Sequence, residues 1–159
     1  MSIKFIINGN PISSKNSIRS GITKNGRNYT YVKKDVKDYR DSALKQLKEK
    51  ISYSGYPLLA LYRINEKGVS YKIDLPISDY IQVSFIFYCK DNRKRDLCNL
   101  IQCPADLLQQ AGIILNDYLI ISLDGSRIMP PDKDNPRTEI TIYKLNEIYE
   151  GRGVNFGGK

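Results

Sequence analysis

The stretch KDNRKRDLCNLIQCPADLLQQAGIILND, from Lys90 to Asp117, contains the pattern on which the fold assignment depends. Its apolar residues recur at intervals of three and four, which places them on one stripe of an α-helix. The stripe comprises Leu97, Leu100, Ile101, Pro104, Leu108 and Ala111. The opposite side comprises Asp96, Asn99, Gln102, Asp106 and Gln110. The pattern predicts a helix that buries its leucines and ends at Gly112, in the manner of a C′ glycine.

Pro104 lies inside this helical pattern. Proline has no backbone N–H, so it cannot donate a hydrogen bond to the carbonyl of Leu100, and its ring crowds the preceding turn. We therefore expect the helix to kink or restart at Pro104.

An acid lies at each end of the predicted helix, and three cations precede the first acid. Arg93, Lys94 and Arg95 lead directly into Asp96, and Asp117 follows the helix and a short apolar run. Cations beside carboxylates suit a site that binds a phosphodiester and holds a divalent metal. Spacing alone leaves a structural alternative open, in which Asp96 is a helix N-terminal acid favoured by the dipole, behind a solvated basic turn.

The same stretch resembles the signature of the RusA-type Holliday junction resolvases, small dimeric endonucleases common in phages and prophages. In that family, basic residues lead into D-L-D-N-L, a helix ends in A-G, and an apolar triplet precedes D-D. The matching segments are 93–100 (RKRDLCNL) and 111–117 (AGIILND), with a helix of the same length between them. The segments 11–16 (PISSKN) and 39–41 (YRD) also resemble family segments at corresponding places.

The resemblance implies a metal site at positions 96, 98 and 117, of which Asp96 and Asp117 remain acids. Cys98 occupies the position of a family aspartate, and Gln102 that of a family lysine. The implied catalytic and metal-binding residues are thus Asp96 and Asp117, with Mg²⁺ or Mn²⁺ as cofactor. A thiol is a poor ligand for Mg²⁺, so Cys98 is either bypassed by a carbonyl or water, or shifts the preference towards Mn²⁺. Asp106 matches a family acid but lies about 15 Å from Asp96 along the helix, which makes it a second-tier candidate.

Composition is consistent with one globular domain. The chain has 159 residues, of which 41% are hydrophobic, and a net charge of +8. A positive charge favours an anionic partner, nucleic acid first and a membrane surface second. No apolar run approaches the roughly 18 residues of a membrane span, and the N-terminus lacks the pattern of a signal peptide. We therefore expect no membrane association.

The cysteines are at positions 89, 98 and 103, with no C-x-x-C motif and no histidine in the chain. This pattern argues against a zinc site and against a disulfide framework, and it is typical of a reducing cytoplasm, here that of a bacterial or phage-infected cell. By default each cysteine is a small buried hydrophobic residue.

The N-terminal part predicts a strand at 3–7, a loop at 11–16, a basic turn at 20–28 and a strand at 29–32, which together suggest a hairpin-like pair. Lys15, Asn16 and Arg19 are candidate phosphate-binding residues beside Arg93, Lys94 and Arg95. An ordinary polar loop is the alternative for 11–16. An apolar stripe predicts a first helix over 35–50, in which Arg40 is expected to pair with a neighbouring acid.

Residues 80–89 (YIQVSFIFYC) predict a central strand, because they alternate early and become wholly apolar later. Residues 52–77 are interpreted as an insertion with a β-hairpin, and further strands are predicted at 119–123 and 138–143. The expected fold is a single α+β domain over 1–145, with a RusA-like mixed sheet and two main helices. Residues 146–159 are expected to be a flexible tail.

Three functional hypotheses follow. In the first, the protein is a metal-dependent endonuclease that cuts four-way or branched DNA as a homodimer, because two symmetric cuts are needed. In the second, the fold and basic surface persist but Cys98 and Gln102 have ended catalysis, which leaves a junction-binding or DNA-binding protein. In the third, it is a general basic nucleic-acid binder. Replacing Cys98 with aspartate separates the three hypotheses.

Overall fold

The computed structural model describes residues 2–13, 15, 17–52, 60–64 and 70–145, without the side chains of 52, 60–64 and 70–72. The helices are α1 (Lys34–Ser52) and α2 (Leu97–Gln110), with a 3₁₀ turn at Asp117–Leu119. The strands are β1 (Ser2–Asn8), β2 (Ile18–Ile22), β3 (Asn28–Val32), β4 (Ala60–Ile64), β5 (Ser70–Asp74), β6 (Ile81–Tyr88), β7 (Ile120–Ser122), β8 (Arg127–Ile128) and β9 (Arg137–Lys144). The predicted tail, 146–159, lies outside the described residues.

Five of these strands form one mixed sheet. Its order is β1-β9-β6-β7, and β8 also pairs with β6. β9 lies antiparallel between β1 and β6, whereas β7 and β8 run parallel to β6. The prediction of a central strand at 80–89 is confirmed. β1 and β6 run parallel to each other because each is antiparallel to β9, so their C-terminal ends lie at the same edge of the sheet.

One face of the sheet carries the hydrophobic core and is covered by both helices. Alternate residues of β1, β6 and β9 are buried, as a half-buried sheet requires. The largest core side chains include Ile7, Leu47, Ile81, Phe85, Phe87, Leu107 and Ile113. The expected α+β fold with a mixed sheet and two main helices is confirmed.

The predicted second helix is confirmed as α2, which buries Leu100, Cys103, Pro104, Leu107 and Leu108. Of the kink or restart expected at Pro104, the restart is wrong, since the helix continues past it to Gln110, and the kink stays a prediction. The buried ring of Pro104 adds apolar area to the core, which offsets the lost hydrogen bond. Gly112 follows with φ of +73°, and this left-handed conformation favours glycine, as predicted for a C′ position.

Two hairpins lie outside the main sheet. β2 pairs with β3, so the predicted basic turn is shorter than expected and the first strand of the pair begins at Ile18. β4 pairs with β5 within the segment interpreted as an insertion. The end of that segment belongs to the core, because Ile73, Leu75 and Ile77 are buried and Ile77 bridges to Ile114.

Candidate nucleic-acid interface

A groove of about 580 Å³ lies at the sheet edge where β1 and β6 end. We call it the basic groove. Its lining comprises Asn10, Pro11, Ile12, Ser13, Lys15, Ser17, Lys33, Asp35, Val36, Tyr39, Lys90, Arg93, Lys94 and Arg95. Six of these residues are cations and one is an acid. The groove therefore presents positive charge along a concave surface, which suits a polyanion.

The sheet topology explains why two distant segments meet there. The chain leaves β1 into residues 9–17 and leaves β6 into residues 90–96, and both strands end at the same edge. The side-chain oxygen of Asn10 accepts a hydrogen bond from the backbone N–H of Lys90 at 2.9 Å. Gly9, with φ of +123°, turns the first segment, and its N–H donates to the carbonyl of Pro136 at 2.9 Å. The predicted phosphate-binding residues Lys15, Arg93 and Lys94 thus line one groove.

The three consecutive cations at 93–95 differ in their surroundings. Arg95 is largely buried, and its guanidinium donates to the Asp91 carboxylate at 2.6 Å and to the carbonyls of Asp91 and Arg93 at 2.9 Å each. Arg93 is exposed but lies 2.9 Å from the same carboxylate. Hydrogen bonds from Arg93 and Arg95 hold the pKa of Asp91 well below its usual range. Lys94 is exposed and has no acidic partner among the described residues.

Asp96 is the N-cap of α2. Its Oδ1 accepts hydrogen bonds from the backbone N–H groups of Cys98 at 2.9 Å and Asn99 at 3.3 Å, while Nδ2 of Asn99 donates to Oδ2 at 2.8 Å. Asp96 therefore has the structural role that the sequence left open, because its side chain caps the N-terminus of α2. The side chain also remains exposed, as does that of Cys98 two residues further on. Exposure leaves both side chains accessible to a ligand.

Asp117 lies at the other end of α2. Its backbone N–H donates to the side-chain oxygen of Gln109 at 3.3 Å, near the helix C-terminus. Since α2 has 14 residues, its ends are about 20 Å apart. The sheet topology leads to the same conclusion. Ile120, three residues after Asp117, pairs with Ile81 at the start of β6. Asp96, in contrast, lies beyond the other end of β6. The structure therefore does not bring Asp96 and Asp117 together within one chain.

The remaining site residues predicted from the sequence lie on α2, on the β2–β3 hairpin or outside the described residues. Gln102 is exposed on α2. Asp106 lies 3.4 Å from Nη1 of Arg40 on α1, which confirms the ion pair expected for Arg40. Arg19 is exposed on β2. Asn16 falls outside the described residues.

The family model of Endodeoxyribonuclease RusA matches residues 8–143, which is most of the chain. The chain belongs to the RusA endodeoxyribonuclease family. Membership implies endonuclease activity on branched Holliday junction DNA, in recombination and repair. No curated protein matches the chain. Within the described residues, no helix is long and apolar enough to cross a membrane.

RusA membership also implies a divalent metal. Among the described residues, no three His, Cys, Asp or Glu side chains lie close enough together to hold a metal ion. The two acids that match the family positions are separated by the length of α2. A metal held by both acids would require carboxylates from more than one chain.

Sequence reasoning missed several groove residues. Lys33 and Lys90 line the basic groove, but each comes just after a strand and belongs to no sequence motif that indicates a phosphate-binding role. Tyr39 enters the sequence analysis only as part of the family-like segment 39–41, yet it also lines the groove, and burial raises its pKa well above the ordinary value so that the phenol stays neutral. Asp91 had a readable signal, since an acid two and four residues before two arginines can pair with both.

Proposed function

We propose that this protein is a metal-dependent endonuclease that cuts four-way DNA junctions in the cytoplasm of a bacterial or phage-infected cell. One observation carries the proposal. The basic groove joins both segments that were predicted to bind phosphate, and its lining residue Arg95 is followed directly by Asp96. The groove can hold a DNA backbone beside the carboxylate that matches the family's first catalytic position.

The lysines of the groove are the groups that bind the DNA backbone. Lys15, Lys33, Lys90 and Lys94 line it without an acidic partner among the described residues. Each lysine that neutralises a phosphate releases a counterion, so log K falls with log salt by about 0.9 per contact. DNA affinity should therefore fall steeply between low and physiological salt.

We further propose that the working form is a homodimer in which Asp96 of one chain meets Asp117 of its partner. A two-fold axis across the middle of α2 would set two copies of this helix antiparallel, with the N-terminal end of each beside the C-terminal end of the other. Support comes from the separation of the two acids by about 20 Å along α2. The bound metal would be Mg²⁺ or Mn²⁺, which prefer the oxygen ligands that these aspartates supply.

Mixing two inactive variants tests this arrangement. Asp96→Asn and Asp117→Asn are each expected to abolish cleavage. If sites are shared between chains, a mixed dimer carries one intact site and one doubly substituted site. An equal mixture should then recover about a quarter of the wild-type nicking rate, since half of the dimers are mixed. No recovery, with subunit exchange demonstrated by a labelled chain, would place both acids of each site in one chain and refute the shared site.

The direct test of function is cleavage of an end-labelled four-way junction beside a linear duplex of matched sequence. Wild type, Asp96→Asn and Lys45→Gln would be compared with Mg²⁺ and with Mn²⁺. Lys45, exposed on α1 and paired with Glu49, is a control cation outside the basic groove. Paired symmetric cuts on the junction, lost in Asp96→Asn and kept in Lys45→Gln, are expected. Equal cutting or binding of both DNAs would contradict junction selectivity and favour a general basic binder.

The alternative is a junction-binding protein without catalysis. The observation that favours it is Cys98, whose exposed thiol stands where the family has a metal-binding aspartate. Gln102 likewise replaces a lysine. Junction-selective binding without cuts under either metal, together with cleavage by Cys98→Asp, would establish this alternative.

A further inference from the structure

The β2–β3 hairpin begins at the rim of the basic groove. The backbone N–H of Lys33 donates to the carbonyl of Ser17 at 2.9 Å, which closes the base of the hairpin, and both residues line the groove. Side chains alternate between the two faces of a strand, and paired residues share a face. The hairpin face that continues from the groove is therefore formed by Ser17, Lys33, Arg19, Tyr31, Gly21 and Tyr29.

We call these six residues the tyrosine face. Tyr29 and Tyr31 are 48% and 47% exposed, so neither ring is used in the core. Their centroids are 5.8 Å apart with an interplanar angle of 31°, so both rings lie along the hairpin. A pair of half-exposed aromatic rings, one after the other along a strand, is the arrangement on which successive nucleotide bases stack.

Gly21 keeps the ring of Tyr29 against the strand. A Cβ at this position would lie 2.6 Å from Cζ of Tyr29, so any larger residue would displace the ring. The ring covers the backbone of Gly21 with one side and remains half exposed. A hollow of about 540 Å³ beside it is lined by Ser20, Gly21, Ile22, Asn28, Tyr29 and Thr30. The ring therefore lies against the strand where the missing Cβ leaves room for it, with open space next to it.

The charge of this region selects the class of partner. Between Gly9 and Lys34 the sequence has six cations and no acid. They are Lys15, Arg19, Lys24, Arg27, Lys33 and Lys34. Arg19 pairs in register with Tyr31, so a cation lies directly beside an exposed ring. Aromatic rings interleaved with cations, without any acid, suit single-stranded nucleic acid, whose bases stack while its phosphates pair with the cations.

We propose that Tyr29 and Tyr31 stack on unpaired bases of a DNA whose backbone lies in the basic groove. In a four-way junction the bases next to the branch point are paired, so this stacking requires the base pairs there to open. The proposal rests on the DNA-binding function proposed above and adds the structural feature of the DNA that is recognised.

The chain contains no tryptophan, which allows a sharp test. Tyr29→Trp and Tyr31→Trp each introduce a single tryptophan on the tyrosine face. Ile6→Trp is the control, because Ile6 is 46% exposed on the face of β1 that points away from the core, apart from the groove and from both Asp96 and Asp117. Titration with a single-stranded thymidine oligonucleotide and with the junction should quench the first two tryptophans strongly and the control little. Equal quenching of all three, or of none, while the protein binds the junction would overturn the proposal.

Affinity provides the second measurement. Tyr31→Leu and Tyr29→Leu should weaken binding to the oligonucleotide and the junction roughly tenfold each, whereas Tyr31→Phe should stay within about twofold of wild type. Binding to a matched duplex should change little in all three. An equal loss on duplex and single strand would overturn the stacking role. Thermal melting of each variant checks the fold, which these exposed side chains should leave unchanged.

The outcomes separate this inference from the proposed function. Junction cleavage by wild type without tryptophan quenching overturns the inference alone. Quenching by single strands without junction selectivity retains the inference and refutes the resolvase function. No binding to any DNA overturns both. A shift of tryptophan emission on anionic vesicles, without quenching by oligonucleotides, would assign the tyrosine face to a membrane surface instead.

Discussion

Nη2 of Arg95 lies 2.6 Å from Oδ1 of Asp91, and the same guanidinium donates to two backbone carbonyls of its own loop. Arg95 is therefore a structural part of the loop that leads to α2. Lys94, the next residue back, is exposed and has no acidic partner among the described residues. Lys94 and Arg95 are adjacent cations that look equivalent in the sequence, but they differ in the structure. Arg95 stabilises the loop, whereas Lys94 faces the groove without an acidic partner among the described residues.

Substitution of these two cations should separate DNA binding from loop stability. Lys94→Gln should weaken binding to junction and duplex alike and reduce the slope of log K against log salt by about one, with little change in urea denaturation. Arg95→Gln should lower the denaturation midpoint, since Asp91 loses its closest partner. Binding across a salt series and urea denaturation provide the two readouts. Equal effects of the two substitutions on stability would contradict the assignment of loop stability to Arg95 and of DNA binding to Lys94.

The ion pairs of Asp91 should resist mild acid. Arg93 and Arg95 lower the pKa of this carboxyl, so its contribution to stability is complete above the unfolded pKa of about 3.9 and is lost only as the pH falls further. Between pH 7 and 5 the loop should keep its structure. Carboxyl carbon NMR signals followed over pH 7 to 2, with Asp91→Asn to assign the signal, test this directly. Titration of Asp91 near pH 4 would contradict it.

Substitutions at Asp96 should separate its capping role from its catalytic role. Serine also caps helices well, so Asp96→Ser should remain within a few tenths of a kcal/mol of wild type, whereas Asp96→Ala should cost about 1 kcal/mol. Both should lose junction cleavage, because each removes the carboxylate. Chemical denaturation and the cleavage assay measure the two effects. Full cleavage by Asp96→Ser would show that Asp96 is only a cap.

Cys98→Asp should raise cleavage with Mg²⁺ by an order of magnitude or more, since a hard oxygen ligand replaces a thiol. The same substitution should raise the free energy of unfolding slightly. Cys98 is exposed in the first turn of α2, and an acid there interacts favourably with the helix dipole. Cys98→Ser controls for loss of the thiol alone. Cleavage rates of the three proteins under Mg²⁺ and Mn²⁺ would be compared. A rate that is unchanged or lower in Cys98→Asp would contradict the metal-binding assignment of position 98.

Asp106→Asn should keep cleavage, because Asp106 pairs with Arg40 and lies away from Asp96 along α2. A partly exposed pair at 3.4 Å contributes less than about 1 kcal/mol, so the loss of stability should be small. Arg40→Gln should have a similar effect, and the double substitution should add little to either. Loss of cleavage in Asp106→Asn with an unchanged fold would move Asp106 into the catalytic set.

Local sequence patterns predicted the two elements that flank the candidate site, α2 and β6, correctly. The spacing of apolar residues predicts α2 and the central strand β6, because a helix and a strand repeat with different periods that can be read from neighbours in sequence. Gly112 after α2 was predicted for the same reason, since its conformation depends only on the adjacent turn. The restart expected at Pro104 is wrong because the cost of a missing hydrogen bond is local, whereas the burial that offsets it depends on the opposing sheet.

The functional surface was decided by the tertiary structure. The basic groove exists because β1 and β6 both pair with β9, which brings residues 10–13 and 90–95 to one edge, and no local pattern records that pairing. The distance between Asp96 and Asp117 likewise depends on how the chain returns after α2. The sequence by itself determined which residues carry charge and where the main helices and the central strand lie. Only the tertiary structure decided which charges meet, because strand pairing joins residues that are far apart in the chain.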